Sequence, residues 1–140
     1  MAVTARYLID TSAAARMSNP QVAAKLTPLI EAAVVATCAT LDAEALYSAR
    51  SPAEYEQLRT DRREAYEYLP TDDTHWHQAS KVQRELARTG RHRAVGIADL
   101  LTAVLAADHS VTVLHYDADF EVAAEVLEFQ HRWVLARGTA

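Results

Sequence analysis

The chain holds one cysteine, Cys38, three glycines and four prolines among its 140 residues. A lone cysteine excludes an internal disulfide and fits a reducing, cytoplasmic setting. So few glycines and prolines leave no room for a long flexible linker. The glycines, at positions 90, 96 and 138, form neither a dinucleotide fingerprint nor a phosphate loop. No Gly-x-Ser-x-Gly nucleophile elbow occurs. No uninterrupted apolar run reaches about 18 residues, so no membrane-spanning helix is expected. The stretch from Met1 to Arg6 lacks the basic and apolar segments of a signal peptide. Zinc ligands are scarce as well: Cys38 is alone, and His75 and His77, two apart on an expected helix, point to different faces. Basic charge is short overall. A net charge of −5 argues against a general nucleic-acid binder, although local charge decides phosphate binding.

What is present is alternation. Short β-branched or apolar runs are separated by longer helical stretches, within a length that suits one domain over 1–140. A first strand is expected over 6–9. Asn19 before Pro20 signals a helix start, with the helix continuing to about 33. A buried strand at 34–37 and a helix over 40–49 follow. Ser51-Pro52-Ala53-Glu54 reads as a capping box opening a helix to about 68, with Pro70 at its end. A short strand falls near 68–71. Thr74 can cap a helix over 74–89 that Gly90 terminates. An apolar helix over 97–107, a strand over 111–114, a short helix over 120–127 and a last strand at 133–135 complete the series. This alternation implies an α/β fold whose mainly parallel sheet carries helices on both faces. In such sheets ligands bind beyond the carboxyl ends of the strands.

Four acids stand at those junctions. Asp10 closes the run Tyr7-Leu8-Ile9, and Asp117 follows Val111-Thr112-Val113-Leu114. Asp99 opens an apolar helix. Glu44 and Asp42 lie near the start of another, about 200° apart around its axis, so only one of them faces the site and periodicity does not choose. Carboxylates that converge without an opposing base repel one another unless they hold a cation. Oxygen ligands of this kind suit Mg²⁺ or Mn²⁺. Taken singly, each acid also reads as a helix cap or a solvated group, Asp99 above all. A basic run from Lys81 to Arg93 adds a second feature. Arg84, Arg88 and Arg91 in it read as a phosphate-contacting patch or as a solvated helix face.

Four segments in this order resemble the PIN domain, and within it the VapC toxins of bacterial toxin–antitoxin pairs. Tyr7-Leu8-Ile9-Asp10-Thr11-Ser12 is similar to the opening strand with its first acid. Leu41-Asp42-Ala43-Glu44-Ala45-Leu46 is similar to the helix bearing the second, which selects Glu44. Ile97-Ala98-Asp99-Leu100-Leu101-Thr102-Ala103 matches the helix start bearing the third. Val113-Leu114-His115-Tyr116-Asp117-Ala118-Asp119-Phe120 matches the final Asp-x-Asp-Phe segment. The resemblance implies a three-layer α/β/α sandwich and Mg²⁺- or Mn²⁺-dependent endonucleolytic cleavage of RNA. It makes Asp10, Glu44, Asp99 and Asp117 the catalytic set, with Asp10, Asp99 and Asp117 on the metal. Asp119 is implied as an additional ligand and Ser12 as a hydrogen-bonding group behind them. It further implies a cytoplasmic homodimer, neutralised by a cognate antitoxin whose C-terminal segment covers the toxin. His115 departs from the pattern, where many relatives carry a small hydroxyl residue; its imidazole either contacts substrate or packs.

Two other readings fit parts of the chain. An aspartyl-phosphate phosphotransfer domain would use Asp10 as nucleophile, but Ser12 stands where phosphatases of that type carry a second Asp. A non-catalytic, nuclease-like binding module would keep the scaffold without binding metal. An aromatic stripe of Tyr55, Leu58, Tyr66 and Tyr68 reads either as helix–sheet packing or as a partner surface.

Overall fold

A computed structural model describes residues 3–140. Met1 and Ala2, where the stretch read for a leader begins, lie outside the described residues. Five parallel strands form one sheet in the order β3-β2-β1-β4-β5. They are β1 (Tyr7–Ile9), β2 (Val35–Thr37), β3 (Glu67–Tyr68), β4 (Thr112–His115) and β5 (Gln130–Trp133). The helices are α1 (Thr11–Ala14), α2 (Pro20–Glu31), α3 (Ala39–Tyr47), α4 (Pro52–Ala65), α5 (Asp73–Ala87), α6 (Ile97–His109) and α7 (Asp119–Ala124).

Side chains alternate across each strand, and this divides the core into layers. Leu8, Ala36 and Val113 face one side, where they meet Leu41 of α3, Leu105 of α6 and Phe120 of α7. Ile9, Val35 and Leu114 face the other, against Ala13 of α1 and Val22 and Leu26 of α2. The result is a three-layer α/β/α sandwich. Helix α5 lies outside α6, joined to it through Ala79, Val82, Leu86, Leu100 and Val104. Helix α6 is buried along its whole middle, from Leu100 to Ala106. Its apolar run is therefore core, and among the described residues no helix is long and apolar enough to cross a membrane.

Several boundaries differ from those expected, each for a local reason. Asn19 caps α2 as expected, its side chain accepting from the Gln21 N–H. Ser51 accepts from the Glu54 N–H at 3.1 Å, but the Glu54 carboxylate turns to Arg50 instead of completing a capping box. Helix α4 ends at Ala65, three residues early. The chain becomes extended at Tyr66, and Glu67 and Tyr68 pair with β2. The Glu67 carboxylate then accepts from the Thr4 and Ala5 N–H groups and the Thr4 hydroxyl, tying the edge strand to the chain before β1. Replacing Glu67 by Ala is expected to cost about 1 kcal/mol in a denaturant melt; an unchanged midpoint would show the tie to be idle. Asp72, not Thr74, caps α5. It accepts from the Thr74 and His75 N–H groups, and the His75 ring accepts in return from its own N–H. Strand β5 falls at Gln130–Trp133, earlier than expected; Val134 and Leu135 beyond it sit in the core. Gly90, with φ +74°, takes the left-handed backbone that ends the turn after α5.

Candidate metal centre

Parallel strands all end on the same edge, so residues that follow them gather there. Asp10 follows β1 and serves as the N-cap of α1. Its Oδ2 accepts from the Ser12 N–H at 3.0 Å and from the Ser12 hydroxyl at 2.6 Å. The same Ser12 Oγ accepts from the Tyr116 N–H beyond β4 at 2.9 Å, so one hydroxyl clasps the ends of both central strands. Asp10 is 3% exposed, and its Oδ1 is buried with no hydrogen-bond partner. Asp117 follows β4, its Oδ1 accepting from the Asp119 N–H at 2.9 Å. Asp99 stands in the first turn of α6 and Asp119 opens α7. Glu44 reaches over from α3, its Oε1 accepting from the Thr11 hydroxyl at 3.2 Å.

These five carboxylates share one electrostatic environment. One oxygen from each of Asp99, Asp117 and Asp119 lies within 4.8 Å of the other two. Burial, and then the charges of Asp10, Asp117, Asp119 and Glu44, push the Asp99 carboxyl up to about 7. Burial also raises Asp10, against the pull of the Ser12 hydrogen bonds, and Asp117 adds to the rise. Glu44 is raised by burial and by Asp10, and Asp119 by burial, Asp117 and Asp10. Among the described residues none of the five pairs with a lysine, arginine or histidine. A buried, unpartnered carboxylate oxygen amid mutually repelling acids is costly to fold. The arrangement fits a hard divalent cation, whose oxygen ligands would be these carboxylates.

The geometry also separates Glu44 from Asp42. Asp42 faces away and accepts from Arg62 Nε at 2.9 Å and the Thr37 hydroxyl at 2.8 Å. His115 packs. It is fully buried, stacks on Phe120 with centroids 4.8 Å apart, and hydrogen-bonds His131 at 2.9 Å. Its Nδ1 accepts from the Asp117 N–H at 3.2 Å, fixing the backbone at that acid. Burial, with the nearby His131, pushes its pKa down to about 4, which keeps the ring neutral and able to accept.

The basic run is dispersed. Arg88 pairs with Glu85 at 3.3 Å, and Arg91 pairs with Glu125. Arg84 alone of the three has no carboxylate partner among the described residues, and none of them touches the five acids. Sequence reasoning missed Thr11, which holds Glu44, and Arg16, whose Nη1 donates to the Ser12 carbonyl while its guanidinium lies 4.3 Å above the Tyr116 ring. The histidines hold a surprise too: His75 meets Asp108 at 2.8 Å, with His109 beside it. There the His75 ring spends one nitrogen on its helix cap and the other on tying α5 to α6.

Ser12→Ala removes both side-chain clasps while leaving every carboxylate. The expected result is a roughly 10- to 100-fold loss of rate in a protein that still folds, with a stability cost of about 1–2 kcal/mol for the two lost hydrogen bonds. Wild-type kinetics would show the clasp to be purely structural.

Comparison with known proteins agrees with this architecture. The PIN domain family model matches residues 7–126. Ribonuclease VapC21 of Mycobacterium tuberculosis is 44% identical over 138 residues, a span covering 99% of this chain and 100% of the relative. VapBC-5 from Mycobacterium tuberculosis, a member of the VapBC family of toxin–antitoxin systems, superposes at TM-score 0.59 and 23% identity, covering 92% of this chain and 98% of that one. DNA-bound VapBC from Salmonella typhimurium superposes at TM-score 0.73 and 16% identity, covering 94% and 99%.

Proposed function

This chain belongs to the PIN domain family, and from that premise we propose that it is a metal-dependent endoribonuclease acting as the toxin of a toxin–antitoxin pair. The observation that carries the chemistry is the set of five carboxylates, none paired with a basic side chain among the described residues, and one buried oxygen, Asp10 Oδ1, without a hydrogen-bond partner. The RNA substrate rests on the 44% identity to a ribonuclease over the full chain.

Asp10, Asp99 and Asp117 would hold Mg²⁺ or Mn²⁺, with Asp119 as an additional ligand. When bound, such a cation supplies an activated water and offsets the charge that builds on the scissile phosphodiester. The chain's own residues do the positioning. Ser12 fixes Asp10 Oδ2 and leaves Oδ1 without a hydrogen-bond partner. The Asp119 N–H holds Asp117, and His115 holds the backbone of Asp117. Glu44, the acid with the longest side chain, is steadied by Thr11 and orients the attacking water. Arg84, with no carboxylate partner among the described residues, is the best of the three arginines for a backbone phosphate; Arg88 and Arg91 would first have to leave Glu85 and Glu125.

A cognate antitoxin, supported by a solved relative of like fold that belongs to a toxin–antitoxin system, completes the proposal, together with a homodimer in the cytoplasm. The phosphotransfer reading gains no support from the relatives, of which the 44% identical full-length one is a ribonuclease. Purified protein is expected to cut structured RNA with Mg²⁺ or Mn²⁺ and to stop in EDTA. Equal cleavage in EDTA would remove the metal from the mechanism.

A further inference from the structure

Beside the acidic centre lies a cleft of about 480 Å³ with the opposite character. Its floor is Thr37 at the end of β2, and its wall is α4, which contributes Arg59, Arg62 and Arg63. Tyr66 and Tyr68, around β3, close the far side. Asp42 is the acid in its lining, and Arg62 neutralises it. Arg62 Nη2 also donates to the Thr37 hydroxyl at 3.0 Å, and its guanidinium lies 5.0 Å from the centre of the Tyr66 ring. This arginine is thus held rigidly. Arg59 and Arg63 are exposed and, among the described residues, pair with no carboxylate. Tyr68 is 53% exposed, a large aromatic face left in water.

The sheet edge and Arg62 link the cleft to the metal centre. Thr37 and Tyr68 end their strands on the same edge as Asp10, in the order β3-β2-β1. Neighbouring strands lie about 4.8 Å apart, which places the end of β3 about 10 Å from the end of β1. Arg62 also lines the smaller depression that contains Thr11 and Glu44, so one residue borders both spaces. Unpaired cations beside an exposed aromatic ring form the combination that binds single-stranded nucleic acid: charge follows the phosphates while rings stack on bases.

We propose that this cleft is the subsite for the single-stranded RNA flanking the scissile phosphate. Arg59 and Arg63 contact successive backbone phosphates, Tyr68 stacks on a base, and Arg62 joins the subsite to the acids. The inference rests on the ribonuclease reading above. It moves substrate binding from the α5 run, where two arginines face acids, to α4, where two are unpaired.

The test is fluorescence anisotropy with a labelled single-stranded RNA of about 12 nucleotides, in EDTA to prevent cleavage. The double variant Arg59→Glu, Arg63→Glu is expected to weaken binding by about tenfold and to flatten the slope of log affinity against log salt by about 1.4, two phosphate contacts at about 0.7 each. Tyr68→Ala is expected to weaken binding, and Tyr68→Phe to restore it, because stacking needs the ring and not the hydroxyl. Melting curves confirm that each variant is folded. If the double variant binds and cleaves as wild type while Asp10→Asn is inactive, the cleft proposal fails and the ribonuclease reading stands. If wild type does not cleave RNA at all, both fail. If the double variant keeps RNA affinity but no longer binds the cognate antitoxin, the cleft is a protein-docking surface and the proposal is overturned.

Discussion

Asp10→Asn is expected to reduce RNA cleavage by about a thousandfold or more while leaving the protein folded. The substitution preserves shape. An asparagine side-chain oxygen still accepts from the Ser12 N–H and hydroxyl, so the start of α1 keeps its cap. What changes is the other atom. Oδ1, buried and without a partner, becomes an amide that donates hydrogen bonds and carries no charge. A donor cannot serve as a cation ligand. Fold should not suffer, because one member of a mutually repelling set has been neutralised. Initial rates on labelled RNA in Mg²⁺, set beside a thermal melt, read both halves of the expectation. Full activity in a folded variant would end the catalytic assignment of Asp10.

Asp99→Asn is expected to make the metal-free protein more stable at neutral pH, not less. In the folded chain the Asp99 carboxyl is pushed up to about 7 from an ordinary 3.8. Between those values the folded state retains a proton that the unfolded state has released. Stability therefore falls as pH rises through this window and levels off above about 7. Asparagine carries no such penalty. The difference between variant and wild type should be small near pH 4 (roughly) and grow to something on the order of 2 kcal/mol at neutrality, after allowance for solvent screening at the open sheet edge. His115 contributes with the opposite sign. Its pKa is held down near 4, below an ordinary 6.5, so its contribution is lost as pH falls through that range. That contribution is common to both proteins and cancels in the difference. Saturating Mg²⁺ should then stabilise wild type far more than the variant, since a ligand bound only to the folded state adds stability by mass action. Thermal melts in EDTA across this pH range check the sign. A variant less stable than wild type at neutral pH would mean that Asp99 has a favourable partner the repulsion account omits.

The parts legible in the sequence were those with a repeating or local physical cause. The β-branched run ahead of Asp117 announced β4, the apolar stretch after Gly96 announced α6, and Asn19 and Ser51 stand as the caps they resembled. The acids at the ends of β1 and β4 were placed on one edge by parallel topology alone, before any side chain was seen. The choice of Glu44 over Asp42 was different. Helical spacing showed that the two diverge, but the reason for the direction, Arg62, lies twenty residues away on α4. Short elements were poorly visible: four residues of α1 and two of β3 carry no periodicity. The basic run on α5 was plain as charge, yet the partner of Arg91 is Glu125, 34 residues later. Conversely, the stretch holding α4 showed its aromatic stripe in the sequence, and only the fold shows Arg59 and Arg63 lining one cleft with Tyr68. Local chemistry is written in local sequence; pairing across the fold is not.

The central claim is that five carboxylates on one sheet edge exist to hold a divalent cation. Isothermal titration of Mn²⁺ into the metal-free protein tests it most directly, with Asp99→Asn titrated in parallel. The expected result is saturable heat for wild type, with protons released to solvent at or below neutral pH as the metal displaces them from the raised carboxyls, and no saturable heat for the variant. Wild type that shows no saturable binding, or a variant that binds as tightly as wild type, would contradict the account.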